Sequence, residues 1–155
     1  MVETVMRDHM LQALSATPVL LQRLLRGAQP DWDRRPDPAR FTLREALAHL
    51  ADWEAIWRQR VEAIARAPGS AIQGRDPDEL ARKNAYAQQD PLANLVRFAE
   101  GRAAYVAALK TLDVAGWAKA GRHSDYGPIT VGQVAQYALG HDAYHLRQVS
   151  EWLDE

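Results

Sequence analysis

Four long segments of this chain carry apolar residues at the three- and four-residue spacing of an amphipathic helix, and no stretch alternates strictly enough to read as a strand. Each such helix has one face that must leave water. The 155 residues make one domain, 1–155, large enough to bury those faces against one another. The pattern therefore predicts an all-α fold, a four-helix bundle.

The first segment runs from about Val2 to Arg26, with Val2, Val5, Met6, Met10, Ala13, Leu20, Leu21 and Leu24 as its apolar stripe. Pro18 falls inside it, where the ring meets the carbonyl of Leu14 and predicts a kink; Gly27 is a natural stop. The second, from about Leu43 to Ala67, opens on the capping box TLRE, in which Thr42 caps and Glu45 reaches back, and Pro68-Gly69 ends it. The third, from about Pro91 to Leu112, has Asp90 as cap and proline at the first helical position. The fourth, from Val131 to about Leu153, opens on TVGQ, with Ile129 and Val134 placed as a hydrophobic staple. A shorter polar helix capped by Asp76 is expected in DPDELARKNAYAQQ. The stretches 27–41 and 113–129, rich in Pro, Gly, Asp and Trp, read as ordered loops.

Composition narrows the chemistry. There is no cysteine, so disulfides, thiolate metal sites and a thiol nucleophile of the chain's own are excluded; any attacking sulfur has to come from a co-substrate. The formal charge of −1 comes from interleaved signs, so no basic face for a nucleic acid is expected. No run approaches the ~20 apolar residues of a membrane span, and MVETVMRDHM has neither the pattern of a signal peptide nor that of a transit peptide. A cytoplasmic protein without a membrane or nucleic-acid partner is the expectation.

The decapeptide GHDAYHLRQV puts His141 and His145 four positions apart, about 40° from each other around the last helix. That helix has Val131, Val134, Ala135, Ala138, Val149 and Trp152 as its stripe, and both histidines fall within it or at its edge. They are expected to face the interior, where two imidazoles need partners for four ring nitrogens and a shared cation satisfies two at once. A bundle site needs a third ligand from a facing helix. His49 in LAHLADWE supplies one, at the edge of the stripe of Leu43, Ala46, Leu50, Trp53, Trp57 and Ile64. Alone, His49 reads as a satisfied border residue; together the three read as a metal site. Three neutral imidazoles without a thiolate leave a coordination position open, the pattern of a catalytic metal. HDAYH also has the spacing of the zinc-protease helix motif, but it carries Asp142 in place of glutamate and leaves only ten residues for a downstream ligand. The protease reading is rejected.

Among the neighbours, Asp52, Asp142 and Gln148 are candidates to orient an imidazole or move a proton, each against a structural reading as a solvated or packed side chain. Trp53, Trp57, Tyr137 and Tyr144 read as core or as the wall of a substrate site. Arg58, Arg60 and Arg147 read as solvated, although an acidic thiol co-substrate would need one or two such cations. His9 reads as a border residue that is a remote fourth ligand, and His123 as a solvated loop residue.

FTLREALAHLADWE, ITVGQVAQYALGHDAYHLRQV and the tryptophan loop QPDWDRRP resemble the DinB-like superfamily, which includes the YfiT-like metal-dependent hydrolases. The resemblance implies an up-down-down-up bundle and a divalent metal on His49, His141 and His145, with zinc or nickel first and iron or manganese as alternatives. It also implies a homodimer, a small-molecule electrophilic substrate, and a low-molecular-weight thiol as co-substrate in a bacillithiol-type S-transferase, or else a hydrolase. The competing expectation is a non-catalytic metal-binding bundle, a dimeric structural or stress-response module. Coordination separates the two: an exchangeable position facing a cleft favours chemistry, and a closed shell favours structure.

Overall fold

The computed structural model describes residues 2–154; the side chain of Val2, expected in the first apolar stripe, lies outside the described residues. The chain runs through α1 (Val2–Leu25), α2 (Leu43–Arg66), β1 (Ala71–Ile72), α3 (Pro77–Lys83), a 3-10 turn (Tyr86–Gln88), α4 (Pro91–Lys110), α5 (Val114–Ala118), β2 (Ala120–His123), β3 (Gly127–Thr130) and α6 (Val131–Asp154). The four long helices lie where the apolar spacing puts them, and their caps explain their starts. Thr42 Oγ1 accepts from the Glu45 amide while the Glu45 carboxylate accepts from the Thr42 amide. Thr130 and Gln133 exchange the same pair of bonds at the start of α6. Asp90 and Asp76 each accept from two amides and precede a proline at the first helical position.

Two hydrophobic layers fix the directions of the helices. One unites Leu11 and Leu14 of α1, Trp57 and Val61 of α2, Tyr105 and Leu109 of α4, and Val134 and Ala138 of α6. The other unites Leu21 and Leu25, Leu43 and Leu47, Phe98, and Val149 and Trp152. The start of α1 thus shares a layer with the start of α6 and with the ends of α2 and α4, the up-down-down-up order. The long connection from α2 to α4 is what lets those two helices run parallel.

The structure corrects the sequence reading of α1. Val5, Met6, Leu20 and Leu24 are exposed, whereas Leu11, Leu14, Thr17, Pro18, Leu21 and Leu25 face the core. The buried face is rotated by ~100°, about one residue's turn, from the expected stripe. The helix continues through Pro18. Proline has no amide hydrogen for the carbonyl of Leu14, and Arg102 Nη1 donates to that carbonyl instead at 2.8 Å.

Arg102 ties all four helices together. Its Nε and Nη2 donate to the two oxygens of Glu54 at 2.8 and 2.7 Å, and Nη2 also reaches Asp142 Oδ1 at 2.8 Å. Nη1 bonds Asp142 Oδ2, which accepts a further bond from Thr17 Oγ1 at 2.7 Å. The guanidinium and both carboxylates are 1–2 % exposed, so this cluster is sealed from solvent. Burial raises the pKa of the Glu54 carboxyl, while Arg102 pulls it back down. Gly101 allows the approach: a Cβ there would come within 2.7 Å of the Glu54 Cβ.

A small three-stranded sheet, β1-β2-β3, is added to the helical bundle. Its strands are two to four residues long, too short for alternation to register in the sequence. β2 and β3 form a hairpin in which Ala120 faces Thr130 and His123 faces Gly127, and β1 adds in parallel with Ala71 opposite Arg122. The stretch 113–129 is therefore a short helix and a hairpin feeding straight into α6.

Removing the guanidinium strands two buried carboxylates. Arg102→Met is expected to cost about 3–5 kcal/mol in chemical denaturation at pH 7. A loss below about 1 kcal/mol would show that the cluster does not hold the helices together.

Candidate metal centre

His49 sits on the second turn of α2, and His141 and His145 sit one turn apart on α6, which packs beside it. The three imidazoles meet in the layer between the helices. Ring centroids are 4.9 Å apart for His49 and His141, 5.0 Å for His49 and His145, and 4.7 Å for His141 and His145. One ring nitrogen from each lies within 4.8 Å of the others. His49 Nε2 and His141 Nε2 are 2.7 Å apart. Two nitrogens that close cannot both present bare lone pairs; one shared proton, or a cation common to both, relieves the repulsion. Neutral imidazoles converging at this range form a donor set that fits a divalent transition-metal ion.

Local structure determines which nitrogen of His145 faces the cluster. Gln148 Nε2 donates to the Phe41 carbonyl at 2.6 Å, which turns Oε1 toward His145 Nδ1 at 2.9 Å. Oε1 only accepts, so Nδ1 carries the hydrogen and Nε2 keeps its lone pair. Gln148 thus couples the loop before α2 to a ring on α6. The Nδ1 atoms of His49 and His141 are buried with no protein partner. Phe41, Trp53 and Tyr86 surround His49 at centroid distances of 5.1, 5.7 and 6.3 Å.

Burial is the main reason that all three imidazoles resist protonation. It pushes His141 down to about 4, with Arg102 adding to the effect, and His145 down to about 3, with His141 adding to it. His49 is lowered further by burial and then by the other two rings. At neutral pH the cluster is three neutral ligands.

The other sequence candidates fall elsewhere. Asp52 points away from the rings: its oxygens accept from Asn84 Nδ2 at 2.6 Å and Arg97 Nη2 at 2.7 Å. Asp142 belongs to the Arg102 cluster and bonds no imidazole. His9 is exposed, and among the described residues the histidine cluster has three members. His123 corrects its expectation as a solvated residue: it is 5 % exposed, accepts the Asp125 amide on Nδ1 at 3.1 Å, and stacks on Tyr126 at 4.5 Å. Arg60 is likewise buried rather than solvated.

The imidazoles open onto a cleft of about 700 Å³. Phe41, Trp53, Tyr126, Tyr137 and Tyr144 give it aromatic walls; Arg35, Arg40, Arg75 and Arg82 give it a cationic rim. Arg40 is anchored by Tyr144 Oη at 3.0 Å and by Glu151 at 3.0 Å. Trp57 is core, 1 % exposed, whereas Tyr137 and Tyr144 stand at the cleft with their rings about half exposed. Sequence reasoning missed Phe41, Tyr126 and Arg40, which lie in loops where no periodicity marks an inward face.

A histidine whose folded pKa lies below its unfolded value of about 6.5 binds protons preferentially in the unfolded chain. The metal-free protein is therefore expected to lose stability as pH falls from 7 to 5, by ~2 kcal/mol per buried imidazole. Denaturation curves across that range check this; a flat profile would mean that the rings protonate freely in the folded state.

The profile of the DinB superfamily matches residues 12–149. A solved structure, YfiT from Bacillus subtilis, described as a probable metal-dependent hydrolase with an unusual four-helix bundle topology, superimposes with a TM-score of 0.86. The two sequences are 21 % identical, and the match covers 94 % of this chain and 85 % of that one, so the likeness is one of fold. No curated protein matches the chain. With the bundle, the helix order and the family profile in agreement, the chain belongs to the DinB superfamily.

Proposed function

We propose that this protein is a metal-dependent enzyme in which His49, His141 and His145 hold a divalent cation at the floor of the cleft, where a small electrophilic substrate is attacked. The observation that carries this reading is the convergence of three neutral imidazoles, two buried and one partly buried, on one point that also lines a cleft of about 700 Å³. That volume suits a small molecule. When bound, such a cation lowers the pKa of a coordinated thiol or water and so makes a nucleophile available at neutral pH.

The chain's own residues have separate tasks. Burial keeps the three rings unprotonated and available as ligands. Gln148 fixes His145 in the tautomer with Nε2 free. Phe41, Trp53 and Tyr86 shield the His49 side from water. The chain has no cysteine, so transfer of sulfur requires an external thiol, which supports a thiol-dependent S-transferase of the bacillithiol type. Hydrolysis at the same centre is the alternative chemistry, and the description of YfiT supports it. A homodimer and a cytoplasmic setting belong to the same reading.

Protein purified without an affinity tag is expected to carry about one divalent metal per chain. His49→Ala and His141→Ala should each lose it. Conjugation of a thiol to an electrophile panel, or hydrolysis of an ester and amide panel, should stop with a chelator, return with added metal, and fall at least ~100-fold in His49→Ala. Full metal occupancy in both variants would refute the ligand assignment. Stoichiometric metal with no turnover in either panel would assign the non-catalytic module instead.

A further inference from the structure

Arg40 lines the cleft and is fixed by its neighbours, yet only part of its guanidinium is used. Its amide donates to the Asp37 carbonyl at 3.1 Å, and its own carbonyl accepts from Arg35 Nη1 at 2.8 Å. The next residue, Phe41, packs its ring on His49 at 5.1 Å. The Phe41 carbonyl accepts from Gln148, the side chain that holds His145. The main chain at Arg40 is therefore tied to both helices that carry the histidine centre.

The side chain lies against Tyr144 and Trp152, its central carbon 4.9 and 5.4 Å from their ring centroids. Nε donates to Tyr144 Oη and Nη1 to Glu151 Oε2, both at 3.0 Å. Nη2 has no partner among the described residues, and in a side chain 19 % exposed it is open to solvent. The Tyr144 hydroxyl accepts from Nε and donates to none of the described residues, so its hydrogen is free as well. Tyr144 also lines the cleft, and its ring meets that of His145 edge-on at 5.0 Å. Two unused donors thus stand side by side on the wall next to the histidine centre.

Charge favours an anion there. Glu151 is shared between Arg40 and Arg147, so one carboxylate serves two guanidinium groups. Four arginines, Arg35, Arg40, Arg75 and Arg82, line the cleft against two carboxylates, Glu45 and Asp78, in a chain whose formal charge is −1. Glu45 is already taken up by Arg35 and by the Thr42 amide. Arg75 and Arg82 have no acidic partner among the described residues. A concave wall with such an excess of cations concentrates negatively charged small molecules.

We infer that Arg40 Nη2 and the Tyr144 hydroxyl form a subsite that binds a carboxylate of the small molecule the histidine centre acts on. A carboxylate has two coplanar oxygens and one charge, which match two adjacent donors on one wall; a phosphate would leave oxygens without donors there. Because the guanidinium is held in place beforehand, binding has little left to order. The inference rests on the proposed function and deepens it: the electrophile or its thiol partner is a carboxylic acid, bound where Tyr144 adjoins His145.

Metal-free full-length protein, titrated with succinate at fixed pH and ionic strength, gives the test. The readout is the NMR signal of the Phe41 and Tyr144 backbone amides. Both are expected to shift saturably with succinate and to stay in place with succinamide. Arg40→Gln should weaken binding about ten-fold and Tyr144→Phe a few-fold. Arg147→Gln removes a charge from the same carboxylate but from a side chain 79 % exposed outside the cleft, and should leave binding nearly unchanged. Circular dichroism checks folding, and Tyr144→Phe, which keeps the ring, remains decisive if Arg40→Gln does not fold. Cobalt-loaded protein then separates the two sources of the acid. If mercaptosuccinate gives the thiolate–cobalt band at lower concentration than mercaptoethanol, and Arg40→Gln abolishes that advantage, the thiol carries the carboxylate; equal concentrations assign it to the electrophile. Equal shifts with succinamide, undiminished binding in the folded Arg40→Gln and Tyr144→Phe variants, an equal loss in Arg147→Gln, or tighter binding of inorganic phosphate would each overturn the subsite. The succinate titration contains no metal, so its failure leaves the trihistidine reading intact, and loss of metal in the histidine variants leaves the subsite intact.

Discussion

A single guanidinium organises the bundle. Arg102 reaches from α4 to Glu54 on α2, to Asp142 on α6 and to the carbonyl of Leu14 on α1, so each of the other three long helices contributes an acceptor to one buried point. Charges taken this far from water are tolerable only when every donor is matched. The proline in α1 is part of that match, because it frees the carbonyl that Arg102 takes. The histidine centre is built beside this point: Asp142 adjoins His141, and Glu54 adjoins Trp53, which packs on His49. Fixing α2 and α6 relative to each other through Arg102 also fixes His49 relative to His141 and His145.

This arrangement separates two uses of burial. In the ion cluster, buried carboxylates and a guanidinium satisfy one another and leave nothing for a ligand. In the histidine layer, burial lowers the pKa values of the rings and leaves nitrogens facing one another without full satisfaction. Closed networks hold a fold, whereas groups left short of partners are where a ligand completes the structure.

Much of this was legible in the residues. The caps at Thr42, Asp90 and Thr130 and the stripes of α2 and α6 mark the helices. The four-residue spacing of His141 and His145 on a buried stripe, with His49 on another, marks the centre. The stripe of α1 was not legible, because Thr17 and Pro18 occupy core positions while Val5, Met6, Leu20 and Leu24 face water; periodicity reads hydrophobicity, and here a hydroxyl bound to Asp142 stands in for it. The hairpin of β2 and β3 is too short to show a period, so the burial of His123 and the position of Tyr126 had no signal. Arg60 reads as one more surface cation because nothing in the sequence records that Trp53 and Trp57 pack against its guanidinium.

The central claim is that three imidazoles from two helices share one cation and leave it a free position toward the cleft. Anomalous diffraction at the metal edge, from crystals of untagged protein, measures this directly. The account predicts one peak at about 2.0–2.2 Å from a ring nitrogen of each of His49, His141 and His145, with a further non-protein ligand on the cleft side. A peak bound by only two of them, a fourth protein ligand closing the shell, or no peak after metal loading would contradict it.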